Sequence, residues 1–230
     1  MMWVRLTTAV LLLMSQVVDA AQAPATPPAQ AQSSDPPPVR ESLRALGSLL
    51  AKVPNSSLNV NFAEWRVRVV LSKLESLAAN WPAQNPADYR LNLQRSVATL
   101  SNALALPPDQ LTAVLDAIGD DLEVKLEHCT RSGGKLGGSV VVNVRTLAGS
   151  EESRNWQVLY LPRVLEASGV TTADRFPQLS SPTHETLVPG RYVMWARDPA
   201  TNQVSERTVV KVGEGRGELT LDLALPAAAR

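Results

Sequence analysis

The chain has 230 residues with 22 basic and 22 acidic side chains, 2 histidines and 1 cysteine, and its formal net charge is zero. A neutral chain lacks the positive potential on which nucleic-acid binders depend, so we expect no nucleic-acid partner. A single cysteine excludes an intrachain disulfide and a multi-cysteine zinc site. With 44% apolar residues the chain has enough apolar surface for packed cores. We therefore expect one or two folded domains.

The first twenty residues are typical of an export signal. Arg5 supplies a positive start, residues 9–14 are continuously apolar, and residues 18–20 (Val-Asp-Ala) resemble a cleavage site. The apolar run is too short to anchor across about 30 Å of hydrocarbon, and the alternative to a signal is a short buried helix. No later segment reaches about 18 continuous apolar residues, so no transmembrane segment is expected after cleavage. The sequence predicts a signal peptide over residues 1–20 and a periplasmic or secreted mature protein that begins near Ala21.

Residues 21–38 have the composition of a spacer. Six of these eighteen residues are proline, and none is a large apolar residue. Such a segment cannot bury enough surface to offset the entropy of ordering it. A ligand for a proline-recognition domain is the alternative. The composition predicts a disordered linker rich in proline and alanine.

Between residues 39 and 131 the apolar side chains recur every three or four positions, which indicates amphipathic helices. The four apolar stripes are Val39, Leu43, Leu46, Leu50 and Val53; Phe62, Trp65, Val69, Leu74, Leu77 and Trp81; Tyr89, Leu93, Val97, Leu100 and Leu104; and Leu111, Leu115, Ile118, Leu122 and Leu126. Each helix must bury its stripe, and short connections favour antiparallel neighbours, so we predict a bundle of about four helices. Trp65 and Trp81 are predicted to lie in the core, with an exposed aromatic contact surface as the alternative.

Two local patterns predict where helices begin. Asn61 lies three residues before Glu64, as in a capping box with asparagine as the cap. Asn85 precedes Pro86, and the acidic Asp88 follows within one turn. This second pattern predicts Asn85 as the cap and Pro86 as the first helical residue.

The periodicity changes after residues 133–138, which contain four glycines. From there, runs rich in β-branched and aromatic residues alternate with turn residues. The predicted strands cover residues 139–146, 156–161, 191–196, 204–212 and 218–225. Short strands at this spacing favour an antiparallel β-sandwich. The predicted fold class is therefore α+β with two separately folding domains, a helical bundle over residues 39–131 and a β-sandwich over residues 137–226, which meet near residues 131–138.

The segment from Leu187 to Val193 (Leu-Val-Pro-Gly-Arg-Tyr-Val) resembles the Leu-x-Pro-Gly-x-Tyr turn and strand of carboxypeptidase regulatory-like, or transthyretin-like, β-sandwich modules. The strands near residues 209–212 and 219–223, with the glycine-rich turn between them, are similar to the last hairpin of that family. A type II turn would place Pro189 second and Gly190 third, where φ is positive. The resemblance implies a β-sandwich over about 90 residues and a folding or adhesion appendage of a secreted protein.

No catalytic constellation stands out among the reactive residue types. The chain has neither a Gly-x-Ser-x-Gly elbow nor the Tyr-Arg-Gly-Ser tail of transthyretin-like hydrolases. His128-Cys129 is interpreted as a helix-end histidine beside an inert thiol, with a metal or redox pair as the alternative; adjacent helical positions point about 100° apart and do not readily share an ion. His184 is predicted to be solvated. The acid pairs Asp120-Asp121 and Glu151-Glu152 lack the spacing of a calcium loop and are predicted to be surface charge.

Four aromatic residues of the predicted strands form the candidate binding surface: Trp156, Tyr160, Tyr192 and Trp195. Trp156 and Tyr160 lie four apart on one strand and share a face, a geometry that also fits a sandwich core. The predicted function is an exported, non-catalytic binding or cell-envelope structural module that interacts with other proteins. The alternatives are a carbohydrate-binding module and a hydrolase with an unrecognised site. The expected partner is an envelope or extracellular protein or a polysaccharide, with no cofactor.

Overall fold

The computed structural model describes residues 38–81, 85–179, 181–213 and 217–226. The predicted signal peptide, its cleavage site and nearly all of the linker lie outside these residues. These residues lie in one compact unit, and among them four long helices precede two β-sheets. The predicted α+β class is therefore confirmed.

Four helices make up the predicted bundle: α1 (Val39–Leu50), α2 (Leu58–Ala78), α3 (Ala87–Ala103) and α4 (Pro108–Arg131). In this bundle α2 packs mainly against α4, and α1 packs mainly against α3. Their inner faces share one apolar core. A short fifth helix, α5 (Arg163–Ala167), adds Val164 to that core from the β half of the chain.

The start of α2 differs from the prediction. The hydroxyl of Ser57 accepts the N–H of Val60 at 3.2 Å, which is the bond of an N-cap, and Asn61 lies inside the helix. Serine and asparagine are about equally good caps, so local preference alone did not distinguish the two positions. The capping box predicted at Asn61 is therefore wrong.

The start of α3 also differs by one residue. Pro86 stands at the cap position, and the helix begins at Ala87. The side-chain oxygen of Asn85 accepts the N–H of Val39, the first residue of α1, at 3.4 Å. Asp88 lies in the first turn as predicted.

The predicted buried face of α2 is wrong for its first two turns. Phe62 and Trp65 are 62% and 56% exposed, whereas Trp81 is 4% exposed and lies in the core as predicted. The face that α2 buries consists of Val60, Ala63, Val67, Val70, Leu71, Leu74 and Ala78. Because α2 carries apolar residues on two opposite faces, periodicity alone did not decide which face enters the core.

Within the part of the chain that the structure describes, eight strands form two sheets: β1 (Val140–Ala148), β2 (Glu151–Glu152), β3 (Gln157–Pro162), β4 (Asp174–Arg175), β5 (Thr183–Leu187), β6 (Gly190–Arg197), β7 (Thr208–Val212) and β8 (Glu218–Ala224). In the first sheet β1 pairs with β2 and β5 antiparallel and with β8 parallel. The second sheet has the antiparallel order β4-β3-β6-β7. The sheets enclose an apolar core, which confirms the antiparallel sandwich with one parallel pair as an exception.

The hairpin predicted at the end of the chain does not form. β7 pairs with β6 in the second sheet, whereas β8 crosses to the first sheet and runs parallel to β1. Arg145 and Asp222 face each other in this parallel pair and are joined by two hydrogen bonds of 2.7 Å. Tertiary pairing with β1 therefore replaces the local pairing that the glycine-rich turn suggested.

The type II turn predicted at Pro189-Gly190 is also wrong. Gly190 is the first residue of β6, paired with Val212, and it is not among the residues with positive φ. β5 and β6 belong to different sheets, so this segment crosses from one sheet to the other. A requirement for glycine here must come from packing rather than from a backbone conformation.

Candidate ligand groove between the helices and the β-sandwich

Helix α4 packs directly against the backbone of the sandwich. The sandwich residues at these positions are glycines, which have no side chain to keep the helix away. A Cβ atom on Gly190 would lie 2.3 Å from Oδ1 of Asp121, and one on Gly137 would lie 1.9 Å from Cδ2 of His128. The carbonyl of Gly213 lies 3.3 Å from Nδ1 of His128, which donates to it. These approaches hold the helices and the sandwich in one fixed arrangement.

A buried ion pair lies at the centre of this contact. Nζ of Lys125 lies 2.5 Å from Oδ2 of Asp121, and the two side chains are 1% and 4% exposed. The ammonium group lies 5.9 Å from the ring centroid of Tyr89, and Oδ1 of Asp121 accepts the N–H of Arg191 at 3.3 Å. The prediction that Asp121 is surface charge is therefore wrong. The only sequence signal was the spacing of four between Asp121 and Lys125, which is common on exposed helix faces.

Beside this contact, α3 and the sandwich leave a groove of about 330 Å³. Its walls come from α3, β3, β4, β5 and β6. Its charged side chains are Asp88, Arg95, Asp174 and Glu185, and its polar ones are Asn92, Tyr160, Thr186 and Tyr192. Asp88, Asn92 and Arg95 lie four and three apart on α3, so they share one face of that helix. We call this space the α3 groove.

The α3 groove contains three carboxylates, those of Asp88, Asp174 and Glu185, and one guanidinium, that of Arg95. Among the described residues, Asp88, Asp174 and Arg95 form no ion pair within 4.0 Å. Oε1 of Glu185 accepts the backbone N–H of Thr186 at 2.8 Å, and Oε2 takes no part in this hydrogen bond. The groove therefore presents unneutralised negative charge to a ligand.

Tyr160 forms the aromatic wall of the α3 groove. Its ring meets Phe176 edge-on at a centroid distance of 5.5 Å and Tyr192 at 6.1 Å, which holds it in one orientation. Burial, together with the charges of Asp174 and Glu185, raises the pKa of Tyr160 to about 12, and Arg95 opposes this rise. The phenol is therefore protonated at neutral pH.

Tyr192 and Asn92 complete the wall nearest the core. The hydroxyl of Tyr192 donates to the carbonyl of Val188 at 2.9 Å, and burial raises the pKa of this tyrosine. Asn92 is 9% exposed, and its side-chain oxygen has no hydrogen-bond partner among the described residues. Buried amide oxygens in proteins normally have a partner, so this unpaired acceptor is an exception in the wall of the groove.

The structure brings two of the four predicted binding residues together. Tyr160 and Tyr192 line the α3 groove. Trp156 is half-buried against the sandwich core, and Trp195 is buried on the opposite face of the second sheet with the guanidinium of Arg207 4.5 Å from its ring. Sequence reasoning missed the groove carboxylates because they come from three elements that are far apart in the chain.

The histidines and the cysteine lie apart from the α3 groove. His128 is buried at the contact of α4 with the sandwich, and His184 is exposed on β5. Cys129 is buried with Sγ 3.9 Å from the hydroxyl of Tyr89, and burial raises the pKa of its thiol, which keeps it protonated. Within the described residues, no group of three or more His, Cys, Asp or Glu side chains could hold a metal ion.

Comparison with known protein families, with curated proteins and with solved structures finds no match for this chain. Within the described part of the chain, no helix is long and apolar enough to cross a membrane. The resemblance to transthyretin-like modules stays a prediction that depends on the segment from Leu187 to Val193.

Proposed function

We propose that the protein is an exported, non-catalytic binding protein whose α3 groove accepts an amine-bearing group of its partner. The observation that carries this proposal is the convergence of Asp88, Asp174 and Glu185 on one groove beside the ring of Tyr160. An ammonium ion donates up to three hydrogen bonds, and its bonds to carboxylates are charge-assisted. A lysine side chain of a partner protein and an amino sugar of a polysaccharide both supply this group.

The dimensions and the remaining polar atoms of the α3 groove suit such a ligand. A volume of about 330 Å³ lies at the lower end of ligand sites and admits one long side chain or one sugar ring. The face of an aromatic ring such as that of Tyr160 attracts cations. Arg95 supplies the donor for a carbonyl or hydroxyl oxygen next to the amine.

The α3 groove lies beside a tightly packed contact. Its walls belong to the helices and to the sandwich, and these are joined by the hydrogen bond from the N–H of Arg191 to Asp121 and by the close approach at Gly190. A preformed site avoids the cost of ordering its side chains on binding. This favours recognition of a small group even with limited contact area.

The export part of the proposal predicts a processed N-terminus. The positive start, apolar core and Ala20 pattern should direct cleavage, so the mature chain is expected to begin near Ala21. N-terminal sequencing of protein from the native host measures this. An intact Met1 on cytoplasmic protein would contradict export.

The binding part predicts that the α3 groove distinguishes an amine from its acetylated form. We expect Nα-acetyl-lysinamide to shift the NMR signals of groove residues, and its Nε-acetylated analogue to leave them unchanged because the charge is gone. Glucosamine and N-acetylglucosamine form the corresponding pair for the polysaccharide source, and a neutral glucose oligomer tests the alternative of plain carbohydrate binding. Equal shifts with charged and acetylated probes, or none with either, would contradict the proposal.

Variants locate the binding in the groove. Glu185→Gln removes one carboxylate of the groove and is expected to weaken amine binding about tenfold, as for loss of one charge-assisted hydrogen bond of about 1.5 kcal/mol. Glu151→Gln is the matched control, because Glu151 is exposed on β2 and outside the groove. Equal weakening by both variants would indicate a general charge effect rather than a site.

A further inference from the structure

The outer face of the second sheet carries arginines around a tryptophan. Tyr160 and Met194 pack with the interior core of the sandwich, whereas Leu159 and Trp195, their neighbours on β3 and β6, belong to a small apolar cluster on the other side of the sheet. Side chains two apart on a strand share a face, so Arg197 lies on the same outer face as Trp195. Its side chain is exposed there.

Two further arginines lie in line with Trp195 across the sheet. Arg175 of β4 is paired with Leu159 of β3, and Leu159 is paired with Trp195 of β6. Arg207 immediately precedes β7, and its guanidinium carbon lies 4.5 Å from the ring centroid of Trp195. Neighbouring strands lie about 4.8 Å apart, so the backbone positions of Arg175 and Arg207 are about 14 Å apart, with Arg197 about 7 Å from this line. We call Arg175, Arg197 and Arg207 the arginine face.

The arginine face carries more positive charge than its ion pairs neutralise. All three side chains are exposed. Among the described residues, Arg175 and Arg197 form no ion pair within 4.0 Å. Arg207 lies 3.4 Å from an oxygen of Glu166, but Glu166 also pairs with Arg163 at 3.5 Å. One carboxylate therefore serves two arginines, and two further arginines have none.

The acids next to these arginines in the chain are directed elsewhere. Asp174 is paired with Tyr160 and lines the α3 groove on the opposite face of the sheet. The carboxylate of Asp198 accepts hydrogen bonds of 2.8 and 2.6 Å from residues 200 and 201 within its own turn. Glu206 is exposed and forms no ion pair within 4.0 Å in the described part of the chain. The outer face is therefore a local excess of positive charge on a chain whose formal net charge is zero.

We propose that the arginine face binds an acidic polysaccharide through the carboxylates of its uronic acid residues. Guanidinium groups bind carboxylates by charge-assisted and often bidentate hydrogen bonds. Because the three arginines begin about 8–14 Å apart, each contacts a different anionic group. A stiff polymer with regularly repeated carboxylates supplies these groups along one extended chain. The site is separate from the α3 groove and does not depend on a ligand there.

The side chains between the arginines favour a polysaccharide over a lipid surface. Proteins that lie on membranes insert large apolar side chains beside their basic residues. Here Trp195 is only 6% exposed and lies beneath Arg207, so its ring is not free to enter a bilayer. The exposed apolar side chains nearby, Val204 and Val209, are short. The arginine face therefore offers charge without a deep apolar anchor.

The loop after β6 adds groups that suit a sugar. Arg197 forms an isolated bridge with Val204, which brings residues 199–203 beside the arginine face. Asn202 and Gln203 in this loop are exposed. Amide side chains both donate hydrogen bonds to hydroxyl groups and accept them, and a polysaccharide carries hydroxyl groups next to its carboxylates. The face and the loop together match a ligand that is both charged and hydroxylated.

Calorimetric titration of the mature chain with oligogalacturonate tests recognition of the charge. We expect binding of the free acid and none of the fully methyl-esterified oligomer, because esterification removes the charge and keeps the sugar. Added salt should weaken the binding, since exposed charges are screened. Equal binding of the two oligomers, or no binding of the free acid, overturns the proposal.

Variants locate this binding on the outer face. Arg175→Gln and Arg197→Gln are each expected to weaken it about three- to fivefold, as for exposed charge pairs, and the double variant about tenfold or more. Arg44→Gln is the matched control, because Arg44 is an exposed arginine of α1 in the helical half, and it should leave binding unchanged. Far-UV circular dichroism melts identify any variant that fails to fold. Equal weakening by the control and the double variant overturns the site.

Two other polyanions test the choice of ligand. Polyglutamate represents an acidic segment of a protein, and phosphatidylglycerol vesicles represent an anionic lipid surface. At equal concentration of negative charge, both are expected to bind more weakly than oligogalacturonate. Tighter binding of either one, with the same loss in the Arg175→Gln/Arg197→Gln variant, overturns the assignment of a polysaccharide.

Discussion

Replacing Lys125 by methionine is expected to lower the free energy of unfolding by about 3–5 kcal/mol. Methionine has a similar length and fits the apolar surroundings, so the loss comes from charge rather than from a cavity. Asp121 would keep its buried carboxylate, 4% exposed, with the N–H of Arg191 at 3.3 Å as its remaining partner. Urea denaturation at neutral pH, followed by far-UV circular dichroism, measures the change. Lys73→Met on the exposed face of α2 is the control and should cost less than about 0.5 kcal/mol.

The double variant Asp121→Leu/Lys125→Met distinguishes a buried charge from lost packing. A buried ion pair replaced by apolar residues of similar volume is often neutral for stability, because the desolvation cost of both charges disappears. We expect the double variant to recover at least half of the loss, with a residual cost of about 1–3 kcal/mol for the unpaired N–H of Arg191. A double variant as unstable as Lys125→Met, or a single variant no worse than the control, would show that the charge is not the cause.

Replacing Gly190 by valine is expected to destabilise the protein by about 3 kcal/mol or more. The Cβ atom would lie 2.3 Å from Oδ1 of Asp121 and 3.3 Å from Nζ of Lys125. Such an approach forces α4 away from β6 or displaces the ion pair. Because the contact joins helices and sandwich, the helical signal in circular dichroism should melt earlier together with the sandwich. An unchanged helical melt would contradict this account.

A double-mutant cycle separates packing from backbone conformation at this position. If the cost of Gly190→Ala comes from Asp121, it should fall by more than about 1 kcal/mol in an Asp121→Ala background. A cost that came from positive φ would be the same in both backgrounds. Gly138→Ala is the matched control, because a Cβ atom there meets no described atom within 4 Å and φ is not positive. It should change stability by less than about 0.5 kcal/mol.

The local spacing of apolar residues was sufficient to predict which segments form helices and which form strands. The apolar spacing of three or four predicted four helices, and all four lie where the pattern placed them within a few residues. The alternation of Val140, Val142 and Val144 predicted a strand whose inner side chains are fully buried. Helix and strand periods depend on the residues of one segment, so a single sequence contains the information.

Neither the buried face of α2 nor the burial of Lys125 is a local property. α2 has apolar residues on two faces, and the core takes the face of Val60 and Val67 while Phe62 and Trp65 stay exposed. Lys125 and Asp121 have the spacing of an ordinary surface pair, and only the approach of Gly190, about 65 residues away, removes water from them. Such outcomes depend on which distant segment packs against a helix.

Residue patterns within single segments predicted the helix-to-strand order, the α+β class and the aromatic residues of β3 and β6. The pairing of β8 with β1 instead of β7, and the meeting of Asp88, Asp174 and Glu185 at one groove, came from the folded chain. The difference lies in the range over which the interactions act. Period and turn chemistry act over a few residues, whereas strand pairing and the meeting of carboxylates from α3, β4 and β5 follow from burial of surfaces far apart in the chain.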